Sequence, residues 1–434
     1  MFGYYLDLAM RSLKRNRMLT ALMILAVALG IGTSMTTLTV LHVLSGDPMP
    51  GHSQQLYAPQ IDPQGADSKT PDDEPLDQMT WIDGMNLLRA KRADRQALMT
   101  GGAVPIQPDN AAIDPFYTKA RYTTADFFPM FEVPMLYGHA WRGEDDDAKA
   151  RVAVISAKLN EKLFKGEDST GRTIRANGAD LRVIGVIGDW SPNPHFYDLN
   201  MGDYAKSEDV YLPLATSRDL KMSRSGSISC WGNGSDAEEA LETESCIWLQ
   251  FWVQLDTPAK AGAYRDFLVH YSQEQKVLGR FERSPNVALL NLMGWLDYKK
   301  VVPSDVKLQT WLAFGFLVVC LVNTVGLMLA KFMRRAGEIG VRRALGASRR
   351  AVFAQLLTEA GIIGLVGGVG GLALALLGLW LVRKQPDGYA TLAHLDLPML
   401  AFTIVLAICT TLLAGVLPAW RACQVAPALQ LKSQ

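Results

Sequence analysis

The sequence predicts an α-helical membrane protein with four transmembrane helices and an α+β extracytoplasmic domain between the first and second. Three observations predict it. Four windows of 23 or 24 residues contain no charged side chain, basic residues cluster beside some of these windows and not others, and residues 46–306 read as short strands and helices separated by turns. Whole-chain averages hide this division: the 434 residues carry 43 acidic and 43 basic side chains, a formal net charge of zero, and 49% hydrophobic residues. Such a chain is too apolar for disorder and lacks the basic excess of a nucleic-acid binder.

The windows are Met18–Leu41, Leu308–Ala330, Ala360–Val382 and Leu397–Trp420. At 1.5 Å per residue each helix reaches about 35 Å, enough for a hydrocarbon layer about 30 Å thick. A charge at a helix centre costs about 2.5–3.5 kcal/mol on insertion scales, so four charge-free runs of this length exclude ordinary soluble helices with a polar face. The first window follows Arg11, Lys14, Arg15 and Arg17, but it exceeds the 7–15-residue core of a signal peptide and no convincing cleavage site follows, so it reads as a retained helix.

Orientation follows from the same basic residues. Lys331, Arg334, Arg335, Arg342, Arg343, Arg349 and Arg350 crowd the segment between the second and third windows, whereas only Arg383 and Lys384 stand between the third and fourth. By the positive-inside rule the N-terminus, the 331–351 loop and the C-terminus are cytoplasmic and residues 46–306 are extracytoplasmic. The expected division is therefore 1–45 (amphipathic start and first helix), 46–306 (external domain) and 307–434 (helices two to four with the loop). Cys320 and Cys409 fall in membrane windows and Cys423 on the cytoplasmic side, leaving Cys230 and Cys246 outside, where an oxidising compartment favours a disulfide over two free thiols.

Within the external segment, residues 46–79 hold six prolines and a surplus of acids and read as a linker. Thr80–Arg92 has helical spacing through Trp81, Met85 and Leu88. Tyr122–Phe131 suggests a short helix with Thr124 and Asp126 as caps. Arg151–Ile155 reads as a buried strand and Ser156 as the cap of a helix to Phe164. Thr173–Arg175 and Leu181–Ile187 form a hairpin about Asn177-Gly178. Val210–Leu214 and Ile247–Leu255 read as strands, Ala259–Gln275 as a helix, and Asn286–Leu292 as a closing strand. Between about 189 and 246 the pattern dissolves into Ser, Gly, Asn and acids with scattered Trp190, His195, Phe196, Tyr197 and Trp231, which reads as a long surface excursion pinned by the disulfide or, alternatively, a contact surface.

Familiar catalytic patterns are missing. The sequence has no Gly-Lys dipeptide and hence no G-x-x-x-x-G-K-[ST] phosphate loop, nor H-E-x-x-H, C-x-x-C or G-x-S-x-G. The six histidines stand apart and read as structural or solvated, so no metal site is expected. No acid lies inside a charge-free window, which argues against a proton relay.

The 331–351 loop carries the most specific run: Arg334-Arg335-Ala336-Gly337-Glu338-Ile339-Gly340-Val341-Arg342-Arg343-Ala344-Leu345-Gly346-Ala347-Ser348-Arg349. It resembles the signature of the FtsX-like, MacB-type permeases of ABC transporters. Arg151–Ser156, Leu163-Phe164-x-Gly166-Glu167-Asp168-x-x-Gly171-Arg172-Thr173-Ile174 and Val183–Ile187 resemble the family's periplasmic core domain. Pro418–Ala422 with Pro427 and Leu429 resembles its C-terminal end, and Leu13–Arg17 its amphipathic N-terminal helix. The resemblance implies an inner-membrane permease whose loop residues Arg335, Glu338, Ile339, Gly340, Val341, Arg342, Arg343, Leu345 and Gly346 dock on a separate ATPase subunit. That partner would bind ATP and Mg, this chain itself holding no cofactor. It further implies a homodimer or a heterodimer with a paralogue, a periplasmic adaptor as an additional partner, and a drug, peptide or lipoprotein as cargo.

Read from its residues alone, the loop is two short helical turns, Ala336–Ala344 and Ser348–Leu356, meeting at Gly346, with Arg342, Arg343, Arg349 and Arg350 facing headgroups or an acidic groove. Gly364, Gly367, Gly368, Gly370 and Gly371 in the third window, and Ala26, Gly30 and Ser34 in the first, allow close helix approach within one chain or across a dimer. Some members of the resembled family carry the ATPase ahead of the first helix. About 17 residues stand there in this sequence, so the ATPase is expected on another chain. Two other readings stay open: an ATP-driven regulator of an external hydrolase, and a membrane-tethered receptor without an ATPase.

Overall fold

The computed structural model describes residues 8–424 except 10, 14, 66–73, 111, 232–236, 238–239, 244, 385–393 and 396. Two compact units emerge: Gly46–Val301 forms one, and the segments on either side of it form the other.

The flanking unit contains four helices long and apolar enough to span a membrane: Arg17–Leu44, Ser304–Arg334, Arg349–Val382 and Pro398–Gln424. Each outruns its charge-free window, because a helix continues through charged residues once they reach the interface or find partners. The largest extension corrects an expectation. Ser348–Leu356 is not a separate turn but the start of the 34-residue third membrane helix, which the Ser348 hydroxyl caps by accepting the Ala351 N–H at 3.2 Å.

Small residues pack these helices inside the chain. A methyl group on Gly367 would strike Val27, and one on Gly371 would strike Ile31, so the third helix lies against the first. On another side, Gly364 and Gly368 meet Thr411 and Ala407 of the fourth helix, and Gly30 meets Leu317 and Cys320 of the second. Ser34 adds a polar tie by donating to the Ala313 carbonyl at 3.0 Å.

The α/β unit is built on a mixed sheet. Its strands are β1 (Leu56–Ile61), β2 (Arg95–Gln107), β3 (Phe116–Thr123), β4 (Met135–Gly138), β5 (Val152–Ser156), β6 (Thr173–Ala176), β7 (Ala179–Ile187), β8 (Val210–Pro213), β9 (Arg224–Ser225), β12 (Gln250–Gln254) and β13 (Val287–Asn291). The path runs β13-β1-β12-β2-β3-β8-β5-β7-β4, with β6 against β2 and β7 and β9 against β2. Strands β3 and β8, and β5 and β7, run parallel; the other pairs are antiparallel. β10 (Ser229–Cys230) and β11 (Cys246–Ile247) form a separate ladder in which Cys230 faces Cys246, and these two cysteines are joined by a disulfide.

Several sequence-derived elements recur: the helices Trp81–Ala90, Ala157–Phe164 and Pro258–Val277, capped by Thr80, Ser156 and Thr257, and the β6–β7 hairpin, whose Asn177 and Gly178 both take positive φ.

Other readings are corrected. The 46–79 stretch is not all linker: β1 pairs with β13 from Tyr57 to Ile61, and Pro59 sits beyond the two residues that pair with β12. Positions 66–73 of that stretch lie outside the described residues. Tyr122 belongs to β3, and the helix after it shrinks to Phe127–Met130. The Ile247–Leu255 strand is interrupted, with pairing resuming at Gln250.

The region 189–246 departs furthest from expectation. His195, Phe196, Tyr197, Asp198 and Leu199 are buried, as are Glu208 and β8, so much of the proposed excursion runs through the core. There the ring of Phe127 is flanked by Phe131, Trp190, Tyr197 and Tyr211, and Phe196 packs edge-on against Trp252. Beside these rings the Arg121 guanidinium donates to Asp198 at 2.6 Å and, through Nε, to Glu208 at 3.1 Å, while the Tyr197 hydroxyl donates to the other Glu208 oxygen at 2.9 Å. Burial opposes ionisation of Glu208, but the adjacent guanidinium outweighs it and holds the carboxyl well below the usual carboxylate range.

Candidate docking and coupling site

The run from Arg335 to Gly346 forms one short helix, Ala336–Ala344, and its stop. The stop is conformational. Gly346 takes a φ of 101°, a left-handed geometry that a side chain disfavours, and the Ala347 N–H folds back to the Arg342 carbonyl at 3.0 Å. Ser348 then opens the third membrane helix, so two rigid helices meet at a two-residue corner.

The faces of the short helix differ sharply. Ala336, Ile339 and Gly340 are buried, with Ile339 in the cluster of Met328, Phe332, Val352 and Leu356. Val341 and Leu345 point the other way and are 49% and 83% exposed, next to the exposed arginines 349 and 350. An exposed apolar pair of this kind is suited to an apolar groove on a partner.

Arg335, Arg342 and Arg343 bond within the chain, where the sequence reading had Arg342 and Arg343 facing headgroups or an acidic groove. Arg342 donates to Gln355 Oε1 at 2.9 Å, and Arg343 donates to the Cys423 carbonyl at 3.0 Å. Arg335, nearly buried, bonds Glu338 at 3.1 Å, Glu359 at 3.1 Å and the Ser12 hydroxyl at 2.5 Å. Glu359 is fully buried within the third helix and also pairs with the fully buried Lys331 of the second. Ser12 donates to Glu359 at 2.8 Å, and Lys331 donates to Thr20 of the first helix at 3.2 Å. Glu338 is further bound by Arg15, and that hydrogen bond holds its carboxyl below the ordinary range.

A polar chain therefore runs from the exposed helix through Glu338 and Arg335 to Glu359 and Lys331. It joins the N-terminal segment with the first, second and third membrane helices. Sequence reasoning named Arg335 and Glu338 but missed Ser12, Arg15, Lys331 and Glu359. A signal was present: Lys331 closes one charge-free window and Glu359 opens another, opposite charges at helix ends that share a membrane face.

Residues 20–268 match the model of the MacB-like periplasmic core domain, and residues 311–427 match the FtsX-like permease C-terminal model. The chain is 25% identical over 339 residues to the pyoverdine export ATP-binding/permease protein PvdT of Pseudomonas aeruginosa, covering 77% of this chain and 45% of that protein. It is 26% identical over 443 residues to the macrolide export ATP-binding/permease protein MacB of Rhodospirillum rubrum, covering 100% of this chain and 61% of the relative. The chain thus spans roughly half to three-fifths of the length of these two relatives. The crystal structure of the periplasmic region of MacB from Actinobacillus actinomycetemcomitans covers 59% of this chain and 96% of its own, at 14% identity and a TM-score of 0.38.

Proposed function

Because the chain belongs to the MacB-type, FtsX-like family of ABC transporter permeases, we propose that it is the membrane subunit of an exporter driven by an ATPase on a separate chain. The observation that carries this reading is the Ala336–Ala344 helix, which exposes Val341 and Leu345 while Glu338 is tied through Arg335 by ion pairs to the second and third membrane helices and, by the Lys331–Thr20 hydrogen bond, to the first.

In this reading the ATPase binds ATP and Mg, and its closure displaces the short helix. Displacement pulls on Glu338, and Arg335 passes the load to Glu359 and Lys331. A buried charge that loses its partner costs several kcal/mol, so the helices follow the loop rather than part from it. The first and second helices are joined through the chain to the α/β domain, which moves in the periplasm to drive a drug, peptide or lipoprotein outward. The loop and both chain ends face the cytoplasm. Two permease chains work together, identical or paralogous, and a periplasmic adaptor completes the path. The relatives named for pyoverdine and macrolide export favour export over the regulatory and receptor readings.

The test is mass spectrometry of the tagged chain gently purified from its native membrane, alone and with Leu345→Asp. Recovery of a stoichiometric nucleotide-binding ATPase with the unaltered chain, lost in the variant, is expected. Recovery of the chain alone under crosslinking would instead favour the tethered receptor, and an ATPase accompanied by an external hydrolase would favour the regulator.

A further inference from the structure

The α/β unit contains a cleft of about 620 Å³ that the coupling reading does not use. That volume falls in the range of sites for drug-sized molecules. One wall is the Trp81–Ala90 helix, presenting Trp81, Met85 and Leu88, and Leu214 continues the apolar surface. Trp81 is held parallel to Trp248 at 6.0 Å between ring centroids, so the wall is a fixed aromatic platform.

Five carboxylates line the cleft beside four cationic side chains. Gln96 lines it at only 5% exposure; its Nε2 donates to the Leu88 carbonyl at 2.9 Å, but its Oε1 has no hydrogen-bond partner. Asp126 and Asp146 stand nearby, fixed by backbone N–H groups: Gln96 N–H donates to Asp126 at 3.0 Å and Ala125 N–H to Asp146 at 2.8 Å. Asp147 adds a third carboxylate at the mouth.

The cations lining the cleft are diverted or peripheral. Lys149 reaches out to Asp219 at 3.3 Å, Arg218 bonds Glu242 at 3.0 Å, and Arg89 and Lys91 are exposed. An anionic ligand would meet fixed acceptors at depth, whereas a cationic N–H donor meets complementary groups.

We propose that this cleft is a binding site for an amphiphilic organic cation, a protonated amine carrying an apolar ring system. The ring stacks along Trp81, Met85 and Leu88, and the ammonium is held by the Asp126 and Asp146 carboxylates. Burial, opposed by the hydrogen bonds from Ala125 and Trp141, pushes the Asp146 carboxyl up to about 7, so a bound cation also supplies the counter-charge that this carboxylate lacks. That the ligand is exported cargo rests on the function proposed above; that the cleft binds it does not.

The experiment measures quinacrine, a fluorescent acridine amine, binding to the full chain in nanodiscs without nucleotide or partner. Acridine-9-carboxylate is the anionic control. Saturable quinacrine binding is expected, at least tenfold tighter than the carboxylate. It should weaken at least tenfold in Asp126→Asn/Asp147→Asn and vanish in Ala215→Trp, which fills the cleft. A photoreactive azido derivative should label peptides spanning residues 81–96 or 214–218. Variants are compared only where melting and the intact disulfide match the unaltered chain. The exposed Asp147→Asn alone, expected to weaken binding about threefold, serves where the others fail to fold. The proposal is overturned by absent saturable binding, by equal binding of the carboxylate, by full binding to a folded Ala215→Trp, or by labelling confined to the membrane helices. Failure here leaves the ATPase association test untouched, and failure of that test leaves this binding measurable.

Discussion

Each unit of the protein buries a cluster of basic and acidic side chains, and the two clusters end differently. In the α/β unit, Arg121 lies between Asp198 and Glu208, with Tyr197 and His195 closing around them, and every one of these groups is buried. In the helical unit, Lys331 and Glu359 are buried and Arg335 nearly so, but Arg335 continues to Glu338, which is exposed and bound to Arg15. A closed cluster can only hold its surroundings in register, since every charge must keep its partner. An open one connects a buried constraint to a surface on which another molecule can act. The same chemistry thus serves shape in one unit and, on the proposed reading, transmission in the other.

The largest expected effects come from removing a central charge. Arg121→Leu strands two carboxylates and should cost about 3–5 kcal/mol, read as a lost or strongly lowered melting transition of the α/β unit. Glu359→Leu strands Lys331 and Arg335 and should cost a similar amount, read as proteolytic sensitivity in membranes. The comparison breaks if either variant melts like the unaltered chain.

Helix contact is the next test. Gly367→Val places a branched side chain against Val27 and should cost about 1–3 kcal/mol through overpacking, whereas the same change at Gly361, where the neighbouring Leu412 side chain leaves room, should cost less. Equal losses at the two positions would mean that the first and third helices are not in close contact.

The pH dependence should show opposite signs for two carboxylates of the α/β unit. Glu208 has a depressed folded pKa, so its contribution is present above the unfolded value of about 4.3 and is lost as pH falls below it. Asp146 has a raised one, about 7, so the folded state holds a proton that the unfolded state has released, and stability declines as pH rises from about 4 to about 7. Asp146 is only partly buried, so solvent screening reduces the decline to about 1–2 kcal/mol. Melting temperature against pH should flatten over that interval in Asp146→Asn.

The smallest stability effect should accompany the largest functional one. Leu345→Asp alters an exposed side chain and should shift stability by no more than about 0.5 kcal/mol while abolishing ATPase association. Glu338→Gln should leave association intact but lower transport per ATP hydrolysed, because it weakens the link between the loop and Arg335. Equal transport efficiency in that variant would remove Glu338 from the path.

Much of this architecture is written locally. Charge-free windows locate membrane helices because a charge in hydrocarbon is costly wherever it falls. Thr80, Ser156 and Thr257 mark helix starts because a side-chain oxygen satisfies an orphan N–H within its own turn. Asn177-Gly178 announces its hairpin because few residues accept positive φ. The Arg334–Arg349 run marked the chain's family through its resemblance to known permeases.

Strand β2 was not legible, and the reason is tertiary. Gly101, Gly102 and Pro105 look like turn residues, yet Gly102 is required because the Tyr122 ring lies across it, and Pro105 sits where its carbonyl receives the Asn177 N–H. The fate of each arginine was equally hidden. Spacing identified a basic loop, but only the packing of four helices around Glu359 decided that Arg335 turns inward while Arg349 and Arg350 stay in solvent. The apolar and polar residues of 189–246 were mixed without period, because irregular backbone that enters a core follows its neighbours' shape rather than a helical or strand repeat. Sequence by itself determined where the chain crosses the membrane and where its local elements begin. Tertiary structure decided which charges pair, because pairing depends on side chains from separate elements, such as Arg121 and Glu208 or Lys331 and Glu359, meeting where water is excluded.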